Sequence, residues 1–354
     1  MSTGQTNEQL FHSEPSTGLA DFIARLERGE ELSRGHAADF LGCLLAESST
    51  DEQIAAALLA LAKKGETVDE LIGCAREMRS RALRVNAVHE SFVDTAGTGS
   101  SSAKTFNVST AAAFVIAGAG VPVAKHGNRG VTSRTGSSDV LQELGVRVDA
   151  TRETTEKCLN EVGIGFMFAP LYHGSTRRVA AVRRQLGVRT IFNLLGPLTN
   201  PAAAPFQIVG VSQSAHVEPL ARALAALGTK RSWVVHGADG LDEVTLADRT
   251  LVGEAEKGTV RTFELGPEDF GVRKTSISDL VAGDARASAE LIRNVLCEES
   301  HGVARDLVMV NASAALFVAE AADSLVDAMQ LAAKSIDTGA AAAKLSDLVG
   351  ATNS

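Results

Sequence analysis

The sequence predicts an α/β protein in which a small all-helical domain joins a larger domain with a mostly parallel central sheet. Two patterns predict this fold class. The first part of the chain has only helical apolar spacing, and the second alternates short β-branched segments with helices. A length of 354 residues suffices for two modest cores. We expect a disordered tail at 1–17, a helical domain at 18–88 with 173–203 packing back on it, and an α/β domain at 89–172 and 204–350.

The helical domain is predicted from apolar periodicity and from signals that begin and end helices. Apolar residues recur every three or four positions, which places them on one face of each helix. Thr50 with Gln53, and Thr67 with Glu70, have the spacing of a capping box, so each pair marks a helix start. Gly65 between them suits a helix end.

The α/β domain is predicted from short segments rich in β-branched residues. Helical segments separate them, and an alanine-rich helical stretch runs from residue 314 to about residue 348. Such alternation predicts a mostly parallel sheet covered by helices. The candidate strands are residues 91–95, 121–124, 206–211 and 232–235, with a short piece at 244–246.

A glycine- and hydroxyl-rich loop followed by two helix starts predicts an anion site. Gly97 and Gly99 allow close approach of the backbone, and Lys125 and Arg129 follow an apolar strand. Helix N-termini attract phosphate oxygens, so we expect bare backbone amides at both helix starts to bind a phosphorylated small molecule. The polar residues near these two helix starts are Thr105, Asn107, Ser109, Thr110 and Ser137.

Two other interpretations of the glycine-rich loop are a P-loop and a turn without a ligand. Lys104 with Thr105 resembles the end of a P-loop, but that motif needs glycines where this chain has Ala103 and Thr98. Taken alone, the loop also fits a hydroxylated turn that caps a helix without any ligand. His126 taken alone is interpreted as a structural, hydrogen-bonding histidine.

Two adjacent carboxylates, Asp242 and Glu243, follow the candidate strand at 232–235 in a glycine-bearing loop. Mg²⁺ prefers hard oxygen ligands and keeps water and phosphate among them. Loop acids are commonly only solvated, so the metal hypothesis depends on the neighbouring phosphate site. With that site in place, we expect Mg²⁺ as the cofactor.

An arginine-rich helix is predicted between residues 177 and 189. Arg183 lies four residues after the apolar Val179 and three before Leu186, so it borders the apolar stripe, whereas Arg184 points further away. A guanidinium held against an apolar surface needs an anionic partner, and a bidentate carboxylate suits it. We therefore predict that Arg183 faces an acid group of a substrate.

Composition narrows the class of function. A formal net charge of -9 argues against nucleic-acid or anionic-membrane surfaces, whose affinity rests on clustered positive charge. The N-terminal residues lack the order of a secretory signal, and no apolar run is long enough to span a bilayer, so we expect a cytoplasmic protein. We expect buried, reduced thiols because the four cysteines are far apart, at Cys43, Cys74, Cys158 and Cys297.

Taken in order, these motifs resemble the anthranilate phosphoribosyltransferase family. The matching segments are residues 97–99, 105–110, 125–129, 136–141, 168–170 with His173, 189–201 and 239–243. The resemblance implies a class II phosphoribosyltransferase fold, similar to that of nucleoside phosphorylases, and a homodimer formed through the helical domain. It also implies transfer of phosphoribose from phosphoribosyl pyrophosphate (PRPP) to anthranilate in tryptophan biosynthesis, with Mg²⁺ as cofactor.

The resemblance further implies roles for individual residues. Catalytic roles fall on Lys125, Asn128 and Arg183. Anthranilate contacts fall on Gly97, Asn128 and Arg183, and magnesium ligands on Ser109, Asp242 and Glu243. PRPP-binding roles fall on Gly97, Ser100, Ser101, Thr105, Asn107, Ser109, Thr110, Lys125 and Ser137.

One loop departs from the family pattern and motivates alternatives. The family has Gly-Gly-Asp-Gly where this chain has Gly99 followed by three serines, and Thr176 replaces a methionine common in the family. The alternatives are a paralogue with another aromatic acid as acceptor and a non-catalytic, nucleic-acid-binding homologue. A pyrimidine nucleoside phosphorylase is disfavoured, because its Lys-x-Ser-Thr-Gly-Gly run is replaced here by a stretch that begins at Asp94.

Overall fold

The computed structural model describes residues 18–99, 103, 105–130, 135–297 and 302–354. The segment 1–17, predicted to be a disordered tail, lies outside the described residues. So do Ser100 and Ser101, which the family resemblance assigns to PRPP binding.

Four helices form an N-terminal layer. Two of them begin at the predicted capping boxes: the Thr50 hydroxyl accepts from the Gln53 N–H at 3.2 Å, and the Thr67 hydroxyl accepts from the Glu70 N–H at 3.3 Å. Gly65 follows the first of these helices with a φ of 88°, as expected of a glycine at a helix end. The four helices are α1 (Leu19–Glu27), α2 (Arg34–Leu45), α3 (Asp51–Lys64) and α4 (Val68–Ser80).

A seven-stranded sheet has the order β3-β2-β1-β4-β5-β6-β7. Neighbouring strands from β3 to β5 are parallel, and β6 and β7 extend the sheet as antiparallel neighbours. The α/β class with a mostly parallel sheet is therefore confirmed. The strands are β1 (Val93–Gly97), β2 (Val123–Gly127), β3 (Ile164–Phe168), β4 (Phe206–Gly210), β5 (Arg231–Gly237), β6 (Thr250–Glu256) and β7 (Thr259–Leu265).

Four candidate strands are confirmed with shifted bounds, and the fifth, at 244–246, is wrong. The Val244 N–H and carbonyl both bond to the side chain of Asn311, each at 2.9 Å, so an amide takes the place of a neighbouring strand. The sequence patterns did not predict β3, β6 or β7. The strand at 121–124 extends further than predicted, and Lys125 and His126 therefore lie within β2 rather than in a turn after it.

Helices cover both faces of the sheet. The first group is α5 (Val108–Gly118), α6 (Ser137–Glu143), α7 (Arg152–Lys157) and α8 (Ala169–Tyr172). The next is α9 (Arg177–Leu186), α10 (Phe192–Leu198) and α11 (Val217–Ala226). The last is α12 (Ala285–Leu296), α13 (Val303–Val318), α14 (Leu325–Asp337) and α15 (Ala340–Asn353).

The sheet separates two main hydrophobic cores. One core joins one face of the sheet to α5 and to helices α12 to α15. The other joins the opposite face, through Val209 and Val234, to α11, to the N-terminal layer and to α9 and α10. The segment that contains α9 and α10 thus shares a core with the four N-terminal helices.

Two further expectations concern thiols and membranes. Cys43, Cys74 and Cys158 are buried, as predicted, whereas Cys297 is exposed, so the expectation of a buried thiol was wrong at that position. Within the described ranges, every helix is too short or too polar to cross a lipid bilayer.

Candidate active site

A cavity of about 480 Å³ opens at the carboxyl ends of β1, β2, β4 and β5. In open α/β sheets, ligands bind at this end of the strands, beside the point where the strand order reverses. Here that point lies at β1, because β2 and β4 flank it on opposite sides. The predicted site residues that line the cavity are Gly97, Thr105, Asn107, Ser109, Lys125, Asn128, Ser137, Arg183, Asp242 and Glu243.

Among the predicted site residues that the structure describes, Thr110 is the one that does not line the cavity. Its side chain is fully buried, and it lines a much smaller neighbouring space together with Phe114 and Leu141. Its N–H donates to the Asn107 carbonyl at 3.0 Å.

Lys125 is the buried cation of the cavity floor. Its Nζ donates to the Thr95 carbonyl oxygen at 2.5 Å and to the Thr95 hydroxyl at 3.2 Å, and it lies 3.4 Å from the Ser109 hydroxyl. Burial lowers the pKa of Lys125 to about 8, although the charges of Asp94 and Glu243 oppose this shift. An anion beside Nζ would favour the protonated form.

The loop after β5 brings two carboxylates against the start of α5. Glu243 Oε1 accepts from the Ser109 N–H at 3.1 Å, and its buried Oε2 bonds to no described residue. Burial, and then the neighbouring Asp242 carboxylate, raise the pKa of Glu243 to about 8. A Cβ at Gly210 would overlap the Asp242 carbonyl oxygen, so glycine at this position of β4 permits the close approach of the loop.

These residues fit a hard divalent cation. Such an ion would satisfy the buried Glu243 oxygen and offset the repulsion between the two carboxylates. The described part of the chain contains no group of three His, Cys, Asp or Glu residues able to hold a metal. A cation here would therefore need further oxygens, from Ser109 and from a phosphate or water, which is the coordination that Mg²⁺ favours.

Amides at both helix starts already donate hydrogen bonds within the protein, which corrects the expectation of bare amides. At α5, the Asn107 N–H donates to Ser288 Oγ at 3.0 Å. At α6, the Gly136 N–H donates to Asp139 Oδ2 at 2.8 Å, because an aspartate stands where it closes a capping box. An anion at these helix starts would therefore be bound more through side chains than predicted.

The Asn107 side chain is held in place from two distant parts of the chain. Its Oδ1 accepts from Ser288 Oγ at 3.0 Å and from Thr135 Oγ1 at 2.9 Å. Because Ser288 lies on α12 and Thr135 precedes α6, three segments meet at this amide. Its Nδ2 group carries the remaining donors.

Arg183 lies half-buried at the opposite wall of the cavity. Its Nη2 donates to Asn193 Oδ1 at 3.2 Å, and its guanidinium carbon is 5.2 Å from the centre of the Phe192 ring. Its Nε is buried and bonds to no described residue, and burial lowers the pKa of Arg183. A buried donor without a partner is costly, so this geometry favours an acceptor such as a ligand carboxylate.

Two histidines pack together at the cavity wall, where His126 is a lining residue. The His126 and His173 rings are 5.1 Å apart, and His126 Nδ1 lies 3.3 Å from the Gly196 carbonyl oxygen. Burial lowers the pKa of His126 to about 3 and that of His173 to about 4, so both rings are neutral near pH 7.

Three further residues of the cavity wall, Thr95, Phe192 and Asn193, were not predicted from the sequence. Phe192 and Asn193 lie in a segment that matched the family, but no spacing rule assigns a role to an aromatic and an amide there. The positions of these side chains depend on contacts between distant segments.

Models of known protein families match both the helical and the α/β part of the chain. The family model described as glycosyl transferase family, helical bundle domain, matches residues 20–82. The model described as glycosyl transferase family, a/b domain, matches residues 89–342.

Curated relatives and solved structures extend the match to most of the chain. Anthranilate phosphoribosyltransferase of Moorella thermoacetica is 50% identical over 92% of this chain and 96% of the relative. The enzyme of Anaeromyxobacter dehalogenans strain 2CP-C is 51% identical over 93% of this chain and 97% of the relative. The crystal structure of the Thermus thermophilus enzyme has a TM-score of 0.88 at 37% identity, and covers 94% of this chain and 100% of that one. The Saccharomyces cerevisiae enzyme in complex with PRPP and Mg has a TM-score of 0.86 at 25% identity, with coverage of 95% and 98%. This chain belongs to the anthranilate phosphoribosyltransferase family.

Proposed function

We propose that this chain transfers the phosphoribosyl group of PRPP to the amine of anthranilate, which gives N-(5-phosphoribosyl)anthranilate and pyrophosphate. One observation carries the proposal: a single cavity holds the unpartnered Nε of Arg183 at one wall, and Lys125 with the Asp242–Glu243 pair at the other. The first group suits the carboxylate of an aryl acid. The second suits a pyrophosphate with a divalent cation.

The PRPP end of the cavity is built around Lys125. We assign PRPP contacts to Lys125 and to polar groups at the starts of α5 and α6, namely Thr105, Asn107, Ser109 and Ser137. We assign Mg²⁺ to Ser109, Asp242 and Glu243, where it would neutralise charge on the pyrophosphate. Thr110 is assigned no contact with PRPP, since its side chain is buried outside the cavity.

The anthranilate end is built around Arg183. We propose that its guanidinium binds the carboxylate and that Asn128, exposed at the rim, contacts the same ligand. Gly97 at the end of β1 lies between the two ends, where a side chain would narrow the cavity.

The reaction requires no protein nucleophile. The bond from ribose C1 to the pyrophosphate oxygen breaks while a bond from the anthranilate nitrogen to C1 forms, and the nitrogen then loses a proton. Lys125 stabilises the negative charge that develops on the leaving group, an effect commonly worth roughly 3 kcal/mol per donor. Arg183 and Asn128 hold the amine towards C1, which replaces a random encounter with a positioned one.

An assay with purified protein tests this proposal. In the presence of PRPP and Mg²⁺, we expect the fluorescence of anthranilate to fall as it is consumed. No fall at high protein concentration would reject the proposed function.

The carboxylate pair provides a sharper version of that assay. Replacing both Asp242 and Glu243 by alanine should abolish consumption of anthranilate, because the cation site is lost. The matched control is Asp248→Asn, since Asp248 lies in the same loop but does not line the cavity. Turnover that survives the double substitution would overturn the metal assignment.

We also propose that the chain forms a homodimer through the helical domain. Leu59 on α3, an apolar residue that is 43% exposed, is the surface position of this domain at which a charge tests the proposal. Light scattering should give twice the mass of one chain for the wild type and a lower mass for Leu59→Glu. Val326→Glu on α14, a similarly exposed position, should leave the mass unchanged. A wild-type mass of one chain would contradict the proposal.

A further inference from the structure

A buried carboxylate lies beneath the cavity without lining it. Asp94, the second residue of β1, has no solvent exposure. Its Oδ2 accepts from Asn200 Nδ2 at 2.7 Å, and its Oδ1 accepts from the His126 N–H at 3.2 Å. Asn200 is also buried, so both partners of this contact are shielded from water.

The two side chains hold β2 at the residue that carries the cation. Asn200 Nδ2 also donates to the Ala124 carbonyl at 2.9 Å. The backbone groups bound by the pair, one from Ala124 and one from His126, therefore flank Lys125 directly. Strands β1 and β2 are paired through one residue pair, Val93 with Val123. By contrast, five residue pairs join β1 to β4. Side chains thus contribute to holding the two strands together where the ladder is short.

The same pair connects β2 to the wall that binds the acceptor. Asn200 follows α10, and Asn193 near the start of α10 accepts the hydrogen bond from Arg183. At the end of α10, the Leu198 carbonyl accepts a hydrogen bond from Arg79 Nε of α4 at 2.6 Å. Seven residues of helix span roughly 10 Å, so one short rigid element links the cation to the guanidinium.

We propose that Asp94 and Asn200 form a positioning pair that fixes Lys125 on β2 relative to Arg183 on α9. This inference rests on the proposed function, because it assigns the pair to the alignment of PRPP with anthranilate. Neither residue lines the cavity, so neither contacts a substrate. Their effect on the reaction passes through the backbone on both sides of Lys125, and the charge of Asp94 also acts on the Lys125 ammonium.

Three variants test the pair. Asp94→Asn places an amide against an amide, and Asn200→Asp places a carboxylate against a carboxylate. The double swap, D94N with N200D, restores one donor against one acceptor and keeps an oxygen for the His126 N–H. It loses the bond to the Ala124 carbonyl, which then faces a carboxylate oxygen, and it moves the negative charge from position 94 to position 200. Ser335→Ala is the control, because it removes one buried hydrogen bond, to the Val115 carbonyl, away from the cavity.

We expect each single substitution to lower kcat by about tenfold or more, because small displacements of reacting groups are costly. KM for both substrates should change by less than about threefold, and the double swap should recover at least about half of the lost kcat on a logarithmic scale. Ser335→Ala should lower the melting temperature with kcat unchanged. A kcat within about twofold of wild type in either folded single variant would overturn the proposal. So would a loss of kcat that follows melting temperature alone.

A second measurement separates this inference from the proposed function. Hydrogen exchange of the His126 amide should be faster in Asp94→Asn than in wild type and unchanged in Ser335→Ala, whether or not the protein turns over anthranilate. Should Asp94→Asn not fold, Asn200→Asp provides the same comparison. If the wild type shows no turnover but His126 exchange changes as expected, the proposed function is rejected and the positioning pair is retained. Unchanged exchange would reject the pair.

Discussion

Arg183 and Arg184 are adjacent on α9 but face different surroundings. Arg183 is half-buried over Phe192 with an unpartnered Nε, and Arg184 is exposed. Arg183→Ala should raise KM for anthranilate by about 30- to 150-fold, since a charge-assisted contact is worth roughly 2–3 kcal/mol, and should change KM for PRPP little. Steady-state kinetics with each substrate varied in turn measures both values.

The matched control for that prediction is Arg184→Ala. It removes the same side chain type from the next position, and we expect kinetics close to wild type because exposed charges contribute little. Equal increases in the two KM values for Arg183→Ala would refute its role in holding the acceptor.

Sequence patterns located the charged residues of the site better than their neutral partners. Arg183 and Lys125 stood out because a charge beside an apolar stripe or strand needs a counter-charge. Asn193 and Thr95, which hold them, have no such signal in the sequence, and their contacts join segments far apart in the chain. The expectation of bare amides at the start of α5 was wrong for the same reason, since Ser288 on α12 accepts the hydrogen bond from the Asn107 N–H.

The packing of α4 on α2 depends on one glycine. A Cβ at Gly73 would overlap the Arg34 carbonyl oxygen and lie 2.7 Å from Ala37 Cβ, whereas a Cβ at Gly35 on α2 meets nothing within 4 Å. Gly73→Ala should therefore destabilise the protein by about 1–3 kcal/mol through overpacking. Gly35→Ala should stabilise it by about 0.5–1 kcal/mol through helix propensity. Urea denaturation measures both, and shifts of the same sign would contradict this account.

Elements with strong local signals were predicted, and those defined by tertiary contacts were not. The capping boxes at Thr50 and Thr67 are local, so the starts of α3 and α4 followed from the sequence. The β6–β7 hairpin has only a weak local signal. Lys257 and Gly258 form a two-residue connection in which both φ angles are positive, and lysine is not a usual first residue of such a turn. β3 contains Gly165 inside an apolar run, a pattern that also fits a buried helix.

The two buried histidines should lower the stability of the molecule as the pH drops below about 6.5. His126 and His173 have pKa values of about 3 and 4 in the folded protein. In the unfolded chain both take up protons below about pH 6.5, so their contribution is present above that pH and is lost on acidification. Between pH 6.5 and pH 5 each costs about 2 kcal/mol. Asp94 and Glu243 offset this loss, because their raised pKa values of about 6 and about 8 favour the folded state as the pH falls.

Replacing one histidine isolates this effect. Urea unfolding at about pH 7.5 and pH 5 should show that His173→Gln loses about 2 kcal/mol less stability than wild type on acidification. The comparison at the higher pH provides the reference, since both rings are neutral there in either state. Parallel losses in the two proteins would contradict the assignment.

The border of the sheet formed by β7 has a consequence for behaviour at high concentration. This outermost strand carries the exposed Arg261 and Glu264, while Phe263 between them packs against Trp233. Charged side chains along an exposed edge strand discourage a second chain from adding its own strand, since pairing would remove these charges from water. We expect concentrated solutions to remain free of fibrils that grow by strand addition at this border.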